Sequence, residues 1–210
     1  MLIFESIDIY CERTGPEFWS EPVNALTNSL FLVAAWFSWQ RAKKVNATSP
    51  DILLLVGLLA AIGIGSFLFH TFATGWAQLA DVLPILAFQV CLIWFYMRDI
   101  MRIRLWGRAA FSIIFLAAIL WARQFPEILN QSLPYIPSLV VLLSLGVYHK
   151  LSRSPEPDVL LAAAGTFIVA LTFRTIDMQL CPCLPLGTHF LWHCCNALTL
   201  YLAVRALTLR

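Results

Sequence analysis

The sequence predicts an all-α integral membrane protein. It reads as one bundle of seven transmembrane helices over residues 22–210, behind an acidic extramembrane segment over residues 1–21. Three observations carry this. Hydrophobic residues make up 60% of the chain and charged residues 12%, whereas about a quarter of a soluble domain is charged. The apolar residues fall into seven runs, near 22–40, 51–73, 78–97, 109–122, 133–148, 158–173 and 187–206, and a span needs roughly 20 residues. The basic residues then alternate between loops. Arg41, Lys43 and Lys44 follow the first run, Arg98, Arg102, Arg104 and Arg108 the third, Lys150 and Arg153 the fifth, and Arg205 and Arg210 close the chain. These are eleven of the fourteen Lys and Arg residues, and seven spans put them all on one side. Only Arg13, Arg123 and Arg174 fall on the other. The positive-inside rule sets the N-terminus outside and the C-terminus in the cytoplasm. In a prokaryote this is the inner membrane.

Taken in order, residues 1–21 hold Glu5, Asp8, Glu12, Glu17 and Glu21, five of the twelve acids, with a Gly15-Pro16 turn. They read as an ordered cap, with no basic stretch and cleavage site of a signal peptide. Pro22 suits the first turn of a helix. Glu21, Asn24 and Asn28 follow at spacings that share one helix face. They serve either as hydrogen-bonding glue between helices or as support for a nearby site. In the second run Ser66 and His70, four residues apart, also share a face. The turn at Thr74-Gly75-Trp76 brings Asp81 back to the level of His70. The fourth and fifth runs are short, which leaves a six-helix reading with one re-entrant segment. In the last run His189, His193 and Asn196 form one stripe.

This topology brings the polar groups to one depth. Three of the four histidines, with Asp81 and Ser66, lie at the non-cytoplasmic ends of their helices. Ionisable residues within spans mark function by default. Catalytic zinc sites commonly use three protein ligands and a water, so His70, His189 and His193 are the candidate zinc ligands. Asp81 is then a base beside the metal, and Ser66 holds the water or a developing oxyanion. Asn24, Asn28 and Asn196 stand behind the ligands. Asp8, Glu12 and Glu21 supply carboxylates of the kind calcium prefers. Cys11, Cys181 and Cys183 lie in outer segments, where a disulfide persists. Cys11 with Cys181 is the preferred pair and Cys183 the competitor.

These residues resemble the alkaline ceramidases, within a wider group of seven-helix metal hydrolases that includes the adiponectin receptors. The matching pieces are YCE at 10–12, EPVNALTN at 21–28, GSFLFH at 65–70 with Asp81 and Pro84, FRTIDMQLC at 173–181 and HFLWH at 189–193. They span nearly the whole chain in order. The resemblance implies zinc on His70, His189 and His193, Asp81 as the base and Ser66 as a helper at the oxyanion. It also implies calcium at the N-terminal segment, with Glu12 and Glu21 the best matches. Arg13 stands where the family has an acid or amide. The expected activity is zinc-dependent, intramembrane hydrolysis of ceramide or a related N-acyl lipid to a fatty acid and an amine. The partner is a membrane lipid, not nucleic acid. Two rival classes are a receptor with a structural zinc, which would bring a long extramembrane domain, and an ion or proton transporter. A transporter would place ionisable groups at successive depths, whereas these cluster at one.

Overall fold

Pro22 opens helix α1 (Pro22–Thr27) at the position where a missing N–H costs least. Asn28 separates α1 from α2 (Ser29–Lys44), and the two form one interrupted rod over the first predicted run. The others are α3 (Pro50–Phe72), α4 (Gly75–Asp99), α5 (Leu105–Ala122), α6 (Ile136–Leu151), α7 (Val159–Leu180) and α8 (His189–Leu207), with a 3-10 turn at Leu133–Tyr135 leading into α6. The computed structural model describes residues 3–208, and Arg210 lies outside the described residues. Among those residues there is no strand, only an isolated bridge from Ser6 to Thr74 that holds the N-terminal segment against the α3–α4 turn.

Five helices, α3, α4, α5, α7 and α8, are long and apolar enough to cross a membrane. Helices α2 and α6 have 16 residues each. At about 1.5 Å per residue, each falls short of the roughly 30 Å hydrocarbon layer. The outward faces are apolar. Leu53, Ile64, Leu83, Ile113, Val140 and Ile168 are all exposed, which water would penalise and lipid does not. Inside, Leu55, Leu59 and Ile62 of α3 and Phe88 of α4 pack with the small Ala163 and Ala170 of α7. Small residues let helices approach where lipid supplies no hydrophobic drive between them.

Helix α7 runs past the predicted end of its run at residue 173 to Leu180. Arg174 is therefore not a loop charge. It is buried inside the helix, donating to the Asn130 carbonyl (3.1 Å) and the Ser132 hydroxyl (2.8 Å). Its polarity ends a hydropathy pattern without ending the helix, because its Nη1 finds two oxygen partners there. At the opposite end of the bundle Glu156 accepts from both Arg41 and Arg205, joining α2, the α6–α7 loop and α8. The Arg205 hydrogen bond, against the penalty of burial, holds the Glu156 carboxyl below its ordinary value.

Candidate metal centre

The α3–α4 hairpin sets the first half of the site. Pro84 lies inside α4 and has no N–H to offer the Ala80 carbonyl four residues back. Gly65 of α3 sits against that carbonyl, and a Cβ there would collide with it and lie 3.1 Å from the Asp81 Cα. The absent side chain thus lets α3 close onto α4. Ser66 and Asp81 line one and the same chamber. Ser66 is buried, and the Oδ1 atom of Asp81 is buried without a hydrogen-bond partner.

Helix α8 supplies the second half. Asp177, near the end of α7, accepts the N–H groups of Thr188 (2.6 Å) and His189 (2.9 Å) at Oδ1 and of Cys11 (3.0 Å) at Oδ2. A carboxylate on the first N–H groups of α8 satisfies donors that the helix leaves open and complements its dipole. Gly187 makes this possible: its φ is +64°, and a Cβ would strike the Asp177 carboxylate. His189 is thereby fixed at the first position of α8, with His193 one turn on.

His70, in the last turn of α3, meets both of them. Each of the three offers a ligand nitrogen, all within 4.8 Å of one another, and all three residues are buried. His70 Nδ1 is 2.6 Å from Glu21 Oε2, which leaves Nε2 for the centre. A carboxylate behind a metal-binding imidazole fixes its orientation and raises its basicity. His193 Nδ1 is 2.9 Å from the Thr27 hydroxyl. That hydroxyl has one proton, which it gives to the Val23 carbonyl (2.8 Å), shared with Asn24 (3.1 Å). With its proton on the carbonyl, the Thr27 oxygen accepts from His193 Nδ1–H, and Nε2 keeps its lone pair. His193 Nε2 and His189 Nδ1 are buried without partners. Two orphaned nitrogens, with a third histidine braced by an acid, fit a zinc ion, which favours imidazole donors.

The buried charges point the same way. Among the described residues, Glu12, Glu21 and Asp177 are buried acids, Asp81 adds a carboxylate with a buried oxygen, and Arg13 and Arg174 are buried bases. Four carboxylates against two arginines leave two negative charges, the amount a divalent cation cancels. Tyr10 closes the layer. Its ring stacks on His189 with centroids 3.6 Å apart, and burial raises its phenol well above the ordinary value. The Arg174 guanidinium lies over the Tyr135 ring, 5.0 Å from its centroid.

The calcium expectation does not fit these residues. Glu12 accepts the N–H groups of Val23 (2.7 Å) and Asn24 (2.8 Å), capping α1 with both oxygens. Glu21 accepts from Arg13 at Oε1, and at Oε2 faces His70 and accepts from Asn24 Nδ2 (3.1 Å). Burial raises the Glu21 carboxyl, but His70, Arg13 and Asn24 outweigh it and hold the group below its ordinary value. Asp8 is exposed. The acids expected to hold calcium instead cap a helix, brace a histidine and pair with an arginine. Arg13, expected as an outer loop charge, is buried in that pair.

Asn24 supports Glu21, while Asn28 donates to the Asn24 carbonyl (2.8 Å) and so steadies the break between α1 and α2. Asn196 lines the chamber below His193. Cys11 is joined to Cys181 by a disulfide, and Cys183 is free and exposed. The bond and Asp177 both tie the N-terminal segment to the α7–α8 turn.

Beside the histidines lies an apolar chamber lined at one end by Ser66, Asp81, His189 and His193. It is walled by Phe88, Leu92, Phe115, Leu145 and Phe167 and reaches down α8 to Ala203. A second, more polar chamber shares Tyr10, Asp81, Gln89 and Tyr135 with the first and includes Arg123, Gln131 and Arg174. Asp81 stands where the two meet.

Thr27 and Asp177 were not singled out by sequence, although both lie in motifs that were. Thr27 is three residues beyond Asn24, on the same face, and that spacing was its only signal. Thr27→Val removes the acceptor that sets the His193 tautomer. Zinc affinity, read by competition with a chromogenic chelator, is expected to fall by about 10–100-fold. Unchanged affinity would mean that another group orients His193.

A family model described as Ceramidase matches residues 9–209, nearly the whole chain. No curated protein matches the chain.

Proposed function

Because the chain belongs to the ceramidase family, we propose that it is a zinc-dependent amide hydrolase of the bilayer, cleaving the N-acyl bond of ceramide or a related N-acyl lipid. The observation that carries this is a cluster of three buried histidines, two of which line an apolar chamber together with Asp81, whose Oδ1 is buried and unpartnered.

Zinc held by His70, His189 and His193 would lower the pKa of a water to about 7 and polarise the amide carbonyl. Asp81 takes the proton of the attacking water on its unpartnered Oδ1. It later gives that proton to the leaving nitrogen, so the C–N bond breaks after the C–O bond forms and a neutral amine departs. Ser66 keeps the carboxylate in line and offers its hydroxyl to the oxygen on which charge develops. Glu21 and Thr27 hold two of the rings, and Tyr10 covers the third.

The acyl chain takes the apolar chamber. The lining follows α8 from His189 to Ala203, fourteen positions on, about 21 Å at the helical rise. An acyl chain entering beside His189 would run along this wall. The amine half takes the polar chamber. Purified protein incubated with a panel of N-acyl lipids, ceramide among them, is expected to release fatty acid and amine in equal amounts, fastest for long chains. Mass spectrometry that finds neither product from any amide would remove the enzyme reading.

In this reading the bundle has seven spans, α1–α2 and α6 completing the five long ones, and the catalytic layer faces the non-cytoplasmic side. Glu17 and Arg102 are both exposed, near opposite ends of the bundle. Single cysteines at these positions, in a Cys183→Ser background, are expected to react with impermeant reagent from opposite sides. Reaction of both from one side would overturn the orientation.

A further inference from the structure

We propose that Arg13 is a built-in cation of the N-terminal segment, doing for the Glu21–His70 pair what a bound calcium ion would do, so that the metal centre is assembled without calcium. The inference rests on the reading of His70 as a metal ligand. The Arg13 side chain is only 1% exposed. Its donors diverge onto three oxygens: Nε to Glu21 Oε1, Nη1 to the Gly15 carbonyl at 2.9 Å, and Nη2 to the His70 carbonyl at 2.9 Å. One carboxylate and two carbonyls are the donor types a hard cation collects. Here a guanidinium, charged at every accessible pH and shaped as a fixed fork, collects them instead.

The geometry makes Arg13 a positioning residue. It holds His70 twice, directly at the carbonyl and through Glu21 at Nδ1. The same guanidinium thereby fixes both the last turn of α3 and the rotation of the imidazole. The charge inventory agrees. With Arg13 in place one divalent ion already balances the buried layer, and a calcium beside it would leave two positive charges uncompensated in a buried setting, at high cost.

The test uses the full-length, zinc-loaded protein. Calcium chloride is titrated without chelator, and binding is read by equilibrium dialysis of radioactive calcium and melting by thermal unfolding. Wild type is expected to bind no calcium saturably, and its melting temperature is expected not to move. An occupied site well above its Kd would raise that temperature by several degrees. In Arg13→Ala, zinc affinity is expected to fall by about 10–100-fold, the usual effect of losing support behind a ligand. Arg13→Lys is expected to recover part of the loss, because an ammonium restores the charge but not the fork. A staple that merely tied down the loop would leave zinc affinity unmoved in both variants. Saturable calcium binding by wild type with a rise in melting temperature overturns the proposal, as does wild-type zinc affinity in Arg13→Ala and Arg13→Lys together. If Arg13→Ala does not fold, the calcium titration of wild type and the zinc affinity of Arg13→Lys, expected below that of wild type, decide. If wild type binds no zinc, the histidine reading fails, and the calcium titration still tests Arg13 separately.

Discussion

Asp81→Asn is expected to slow lipid-amide hydrolysis by about 10²–10⁴-fold, the usual contribution of a positioned general base, while leaving zinc content nearly unchanged. Asparagine keeps the shape of the side chain and removes the proton acceptor. The close packing of Gly65 on Ala80 and Asp81 leaves the backbone no reason to move. The affected atom is identified: Oδ1 of Asp81 is buried and unpartnered, so the proton has one evident destination. Turnover on the best lipid of the panel and zinc by elemental analysis are measured together. Loss of zinc in Asp81→Asn, with Ser66→Ala silent in turnover, would make Asp81 a ligand and not the base. Unchanged turnover in both variants would remove the proposed proton path.

His193→Ala is expected to lose the metal and the activity together. Zinc per chain should fall from about one to near none, because a three-ligand site that loses one ligand keeps only two. Activity should fall to the uncatalysed background. The variant should remain folded, since the core also packs through Leu55, Ala163, Val204 and Leu207. Metal stripped from wild type and then restored should return its activity. The same treatment should return nothing in His193→Ala. Full zinc retention in this variant would remove His193 from the ligand set and leave the chamber without its proposed metal.

The two variants separate roles that the sequence could only place near one another. The spacing of Ser66 and His70, and of His189 and His193, put each pair on one helix face. The alternating basic loops put His70, Asp81 and His189 at one end of their helices. That much follows from periodicity and charge along a single chain. The extent of α7 did not follow. Arg174 and Asp177 look like a helix end in hydropathy, yet both are buried and hydrogen-bonded to partners more than ten residues away. The N-terminal segment shows the same limit. Its acids suggested a calcium site, but what an acid binds depends on which donors the fold delivers to it.

By itself the sequence determined the helical class, the apolar outer faces, the layer in which the histidines lie and the residue types able to hold a metal. These depend on side-chain period and on the cost of charge in lipid, both local to a segment. Only the tertiary structure decided that Glu21 braces His70, that Thr27 sets the tautomer of His193 and that Asp177 caps α8. It also decided that Arg13 stands among the oxygens a calcium would have sought. Each of these is a hydrogen bond whose partner is fixed by where another segment lies. A buried polar group must find some partner, but its own sequence neighbourhood does not say which.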